Sequence, residues 1–147
     1  MAPDTTAAAC PFCAIIAGRL PSSQLYADDL VLAFLDIRPV TAGHLLVVPR
    51  AHAVGLAELP DDTGAAMFVA AQRLAAALRA SGLPCDGINF FLADGAVAGQ
   101  EVWHVHLHVL PRFADDGFKL SARFQSPDRA ELDATAAQIR AVLTALS

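Results

Sequence analysis

Lysine is almost missing from this chain. Lys119 is the only one in 147 residues, so the remaining 9 of the 10 cations are arginine. Against 15 acids this leaves a formal charge of −5. A protein that coats DNA or RNA neutralises many phosphates with clustered cations, so no nucleic-acid polymer is expected as a partner. A small nucleotide, held by a few local donors, is not excluded. No run of about 18 uncharged apolar residues occurs, so neither a membrane span nor a membrane partner is expected. Residues 1–9 carry no basic stretch and no apolar core, and are not expected to act as a secretory signal. Cysteine is scarce and odd in number: Cys10, Cys13 and Cys85. Without a signal this points to a reducing, cytoplasmic setting, and the Cys10–Cys13 spacing suggests a metal rather than a disulfide.

What the chain has in excess is alanine, 31 of 147 residues, within a composition that is 55% hydrophobic and 17% charged. Disordered, collagenous and coiled-coil chains do not have this balance. The length suits one domain with its own core. Residues 1–9 read as a flexible tail and residues 10–147 as a single domain, since no linker or repeat divides them.

Phe12 to Gly18 reads as a helical turn and Pro21-Ser22-Ser23 as a loop. Val31–Ile37 and His44–Val48 are strand candidates bounded by aspartate, glycine and proline. Pro60-Asp61-Asp62 opens a long helix that Ser81-Gly82 ends. Its inward face is expected to carry Met67, Phe68, Ala71, Leu74, Ala75 and Leu78. Gly87–Leu92 and Val102–Leu110 are two more strands. Ser126 with Pro127 resembles a helix cap, after which Leu132, Ile139 and Leu143 are expected to face the body. This order makes an α+β domain with a mostly antiparallel sheet.

Three of the five histidines stand in Trp103-His104-Val105-His106-Leu107-His108-Val109-Leu110-Pro111. Such alternation is that of a strand, whose period of two puts His104, His106 and His108 on one face, neighbours about 6–7 Å apart. A half-exposed strand with polar residues outward is one explanation. A catalytic metal held by the three imidazoles is another. The third is covalent chemistry, with one histidine as nucleophile and its neighbours handling an anion.

This motif, with Gly99-Gln100-Glu101-Val102 before it and Leu110-Pro111-Arg112 after it, resembles the signature of the histidine triad (HIT) family of nucleotide-binding hydrolases and transferases. Phe12 to Ile16, Ala33 to Ile37, Gly43 to Pro49 and Asp115 to Phe118 resemble the family as well, so the likeness covers about residues 10 to 120. It implies a five-stranded, mostly antiparallel sheet with a long helix and a C-terminal helix. It also implies a homodimer, in which residues 61–80 and 87–95 build a ten-stranded sheet. By the same resemblance, His106 is the nucleophile toward the α-phosphorus of dinucleoside polyphosphates or nucleoside phosphoramidates. His108 bonds the transferred group and His44 buttresses the pair. Asp36 takes the ribose hydroxyls of a purine nucleotide. Phe12, Ile15, Leu20, Phe34, Ile37, Leu46 and Val102 surround the base, while Gly99, Gln100 and Glu101 approach the phosphate. Some bacterial members complete a Cys-x-x-Cys zinc site with two histidines; here these are His52 and His104, beside Cys10 and Cys13, and such a closed site is structural. Two departures stand out. Ala93 aligns where many relatives have an amide, and Glu101 where many have Ser or Thr. A nucleotide-binding regulator with vestigial activity, and a zinc hydrolase with its metal on the histidine strand, are the competing readings.

Overall fold

Residues 31–35 and 45–49 are apolar without interruption because the strands they form are covered on both faces. In the computed structural model, which describes residues 2–146, they are β2 (Val31–Leu35) and β3 (Leu45–Pro49). Met1 of the expected tail and Ser147 of the expected domain lie outside the described residues. Around these strands come α1 (Pro11–Ile16), β1 (Gln24–Ala27), α2 (Asp61–Ala80), β4 (Gly87–Phe91), β5 (Leu107–Arg112) and α3 (Arg129–Leu146). The strands form one antiparallel sheet in the order β1-β2-β3-β5-β4.

On one face, Val31, Ala33, Leu45, Val47, Val105, Leu107 and Val109 pack with Met67, Ala71, Leu74 and Leu78 of α2. On the other, Leu32, Phe34, Leu46 and Val48 pack with Phe12 and Cys10 at the start of α1. The candidate site side chains lie on this second face, above a sheet that α2 supports from below. No helix among the described residues is long and apolar enough to cross a membrane.

Four local expectations need correction. First, Gln24–Ala27, to which the sequence pattern assigns no element, forms β1, a short edge strand whose pairing with β2 slips between Gln24 and Tyr26. Second, β5 starts at Leu107 rather than Val102: the ladder ends at Val47↔Leu107 on one side, although β3 continues to Pro49, and at Phe91↔His108 on the other, where β4 ends. Before it, the Val105 amide donates to the Ala53 carbonyl. Third, Phe68 is 52% exposed, on the outer side of α2, with its ring edge-on to Phe90. Fourth, α3 buries none of its residues, and Leu132, Ile139 and Leu143 are exposed. Its cap is Asp128, not Ser126: the Glu131 amide donates to the Asp128 carboxylate and the Asp128 amide to the Glu131 carboxylate, a reciprocal capping box.

Candidate active site

The turn before β3 delivers the first histidine. Gly43 has φ +92°, and a Cβ there would stand 2.8 Å from the Leu78 side chain, so both backbone and space call for glycine. The Thr41 hydroxyl donates to the Pro111 carbonyl, fixing the turn to the end of β5. His44 is thereby buried, and its Nδ1 accepts from the Val40 amide.

That one bond determines the proton positions that follow. An amide can only donate, so neutral His44 holds its proton on Nε2, which lies 2.9 Å from His108 Nδ1. His108 Nδ1 therefore accepts, and His108 carries its own proton on Nε2. His106 faces the opposite requirement. Its Nδ1 lies 2.7 Å from the His104 carbonyl, which can only accept, so His106 is protonated on Nδ1 and keeps a lone pair on Nε2. Burial keeps these rings neutral: it lowers His44 and His106, and takes His108 down to about 4, with the neighbouring histidines adding to the effect. The two rings end up with opposite functions at Nε2, a bare lone pair on His106 and an N–H on His108, their centroids 4.9 Å apart.

Because the folded state takes up the His108 proton only near pH 4, while the unfolded chain takes it up near 6.5, stability falls as pH drops through that window. In an imidazole nitrogen NMR titration, His108 keeps a single proton, on Nε2, down to about pH 5. A midpoint near 6.5 would contradict the arrangement.

Beside the two rings opens a cavity of about 730 Å³, a size suited to a small ligand. Of the residues expected around a nucleotide, Phe12, Ile15, Leu20, Phe34, Asp36, Ile37, Leu46, Gly99, Glu101 and Val102 line it, together with His106 and His108. Phe12 sits edge-on to both Phe34 and His106. Ile37 is 92% exposed and belongs to the mouth. Asp36, just past β2, accepts from the Arg38 amide through one oxygen and faces His44 and His108 at 3.7 and 4.0 Å with the other. Gln100 does not line the cavity. Its side chain is turned inward, accepting from the Gly95 amide and donating to the Val54 and Val102 carbonyls, so it braces the loop. Glu101 pairs with Arg38 at 2.9 Å on the rim, which offsets the negative charge expected to oppose an anion. Gly99 has φ +94° with nothing within 4 Å of a built Cβ, so its backbone conformation, rather than crowding within the protein, explains the glycine.

Cys10, Cys13, His52 and His104 converge next to this cavity. Pro11 starts α1, so both cysteines project from its first turn. His104 Nε2 donates to the Pro49 carbonyl and His52 Nε2 to the Thr5 carbonyl, which leaves both Nδ1 lone pairs turned inward. Those lone pairs lie 3.3 Å apart, and the nitrogen–sulfur separations are 3.3 to 3.5 Å. A tetrahedron of zinc bonds has edges of about 3.3 Å between nitrogens and about 3.5 Å between nitrogen and sulfur. Two lone pairs facing each other repel unless a cation lies between them. The residues therefore fit zinc in both number and chemistry, with no position open to substrate.

Asp36, His44 and His108 form another close set, but they do not offer three lone pairs. The Val40 amide obliges His44 Nε2 to carry hydrogen, and a metal there would force Nδ1–H against the amide N–H. A catalytic metal on the histidine strand is likewise not supported: His104 turns to the cysteines, while His106 and His108 expose one lone pair and one N–H.

Comparison with known proteins agrees with this geometry. The model of the HIT domain matches residues 17–115. An uncharacterised HIT-like protein of Mycobacterium tuberculosis is 49% identical over 112 residues, which cover 76% of this chain and 76% of that protein. The adenosine 5′-monophosphoramidase HNT1 of Saccharomyces cerevisiae is 40% identical over 111 residues, covering 76% and 67%. The crystal structure of a zinc-bound histidine triad family protein from Mycobacterium smegmatis superposes with a TM-score of 0.72 at 45% identity, covering 93% of this chain and 99% of that one.

Proposed function

The chain belongs to the HIT family, and on that premise we propose that it hydrolyses nucleotides at the α-phosphorus through a nucleotidyl-histidine formed on His106. The observation that carries this reading is the pair of opposed Nε2 functions, a lone pair on a buried neutral His106 beside an N–H on His108. The His106 lone pair forms the N–P bond while the bond from phosphorus to the leaving atom breaks, its electron pair staying on that atom. His108 Nε2–H hydrogen-bonds the leaving atom or a phosphoryl oxygen. An anhydride oxygen departs as an anion, and an amine departs with a proton taken from solvent. Water then attacks phosphorus and releases a proton, and the pair of the N–P bond returns to His106. The His104 carbonyl holds the imidazolium that exists in between.

The nucleoside would occupy the large cavity, with the Asp36 carboxylate accepting from the ribose hydroxyls. The experiment is hydrolysis of adenosine 5′-phosphoramidate alongside its 2′,3′-dideoxy analogue. AMP appears from the first, and KM rises about tenfold or more for the second, because Asp36 loses both donors. Equal KM values would remove Asp36 from ribose recognition.

We propose zinc at the Cys10–Cys13–His52–His104 set, where it would tie residues 5–13 to the turn before β5. The thiols must lose their protons to bind it, and Cys13 is pushed up to about 11 by burial and by Cys10, so binding is proton-linked. A cytoplasmic homodimer is also part of the proposal: β4 is a free edge of the sheet, with Phe68 and Val69 exposed on α2.

A further inference from the structure

A second groove, of about 400 Å³, opens on the other side of His108. It shares His108 and Gly99 with the nucleoside cavity, and His106 borders only the latter. Apart from His44, whose Nε2 is engaged by His108, the remainder of its wall is apolar, chiefly Val40, Phe91, Ala93, Leu110, Phe118 and Leu120, and among the described residues no Asp, Glu, Lys or Arg lines it. The wall is held firmly. Phe118 stacks edge-on with Phe91 and lies under the Arg112 guanidinium at 4.8 Å. Arg112 also donates to the Phe118 carbonyl and pairs with Asp116, whose carboxyl that guanidinium holds down to about 2.

We propose that this groove is the leaving-group subsite and that it selects uncharged apolar leaving groups, alkyl or aryl, over charged ones. The inference rests on the hydrolase reading above. Displacement at phosphorus places the leaving atom opposite the attacking His106 nitrogen, and this groove is the cavity that continues past His108 away from His106. A charged leaving group would lose hydration there without a counter-charge, whereas an alkyl or aryl group gains burial. Ala93 acquires a role as well: a methyl group where many relatives carry an amide removes a polar contact from the wall.

The test keeps the adenosine 5′-phosphoryl half constant and varies the amine. Wild-type protein is assayed with the phosphoramidates of ammonia, 2-phenylethylamine and phenylalanine, the last two differing by one carboxylate. The expected kcat/KM for the phenylethyl compound exceeds that for the phenylalanine compound by roughly ten- to a hundredfold. Phe118→Ala, which opens the wall, and Ala93→Lys, which supplies a counter-charge to the carboxylate, each bring that ratio toward one. Should Phe118→Ala fail to fold, Ala93→Lys alone carries the comparison. Hydrolysis of all three compounds with a ratio near or below one in wild-type protein overturns the subsite and leaves the hydrolase reading intact. No hydrolysis of any of them overturns that reading, and the subsite with it.

Discussion

On the proposed mechanism, His106→Ala is expected to lower kcat for AMP release by about 10⁴-fold or more, and to leave nucleotide binding within a few-fold of wild type. The size follows from what is removed. Without Nε2 there is no covalent intermediate, and water would have to attack a substrate with no base arranged to activate it, since Nδ1 of His108 is occupied by His44. Binding is retained because the groups that would hold the nucleoside, Asp36 and the apolar wall from Phe12 to Leu46, are separate from the nucleophile. His106→Asn and His106→Gln behave like alanine, being amides without a nucleophilic lone pair. A loss below about tenfold would move the nucleophile elsewhere.

Cys10→Ser/Cys13→Ser has the largest expected effect on stability. Zinc content, read by elemental analysis, is expected to fall from about one per chain to none. A metal held a thousandfold above its dissociation constant stabilises the fold by about 4 kcal/mol, so for a domain of this size Tm falls by roughly 10 °C. The consequences reach the reaction centre through two contacts. Phe12 lies between the two cysteines in sequence and against His106 in space. His104 supplies the carbonyl that fixes the His106 tautomer. Activity is therefore expected to decline together with stability, while zinc added back to the double variant restores neither. Unchanged Tm and metal content would refute the zinc assignment.

Much of this site was legible in the chain because its chemistry is local in sequence. The alternation around His106 separates Val105, Leu107 and Val109, which join the core against α2, from the three histidines, although the ladder itself begins only at Leu107. The shorter β5 is invisible in the pattern because strand ends depend on where pairing stops, which the chain's bend at residues 102–104 influences here. The edge strand β1 escaped because Gln24–Ala27 is four residues long and mostly exposed, with no alternation to read. Gln100 shows a different limit: its position after Gly99 suggests a ligand contact, but bonds to the nearby Gly95 and Val102 and to the distant Val54 turn it inward. Proton positions were the least accessible of all. They depend on the Val40 amide and the His104 carbonyl, backbone groups that no residue pattern encodes. The apolar stripe of α3 and Phe68 on α2 look like core in the sequence because periodicity reports which face is apolar, and does not say what covers it.

The covalent intermediate is the most direct test of the central claim. Protein mixed with an AMP ester of p-nitrophenol is quenched with base within the first turnover, digested and analysed by mass spectrometry. One adenylyl group on the peptide that contains His106, labile to acid and absent from His106→Ala, is the predicted result. An adenylyl group on another residue, or a first turnover that releases AMP with no adenylylated protein at any quench time, would contradict it.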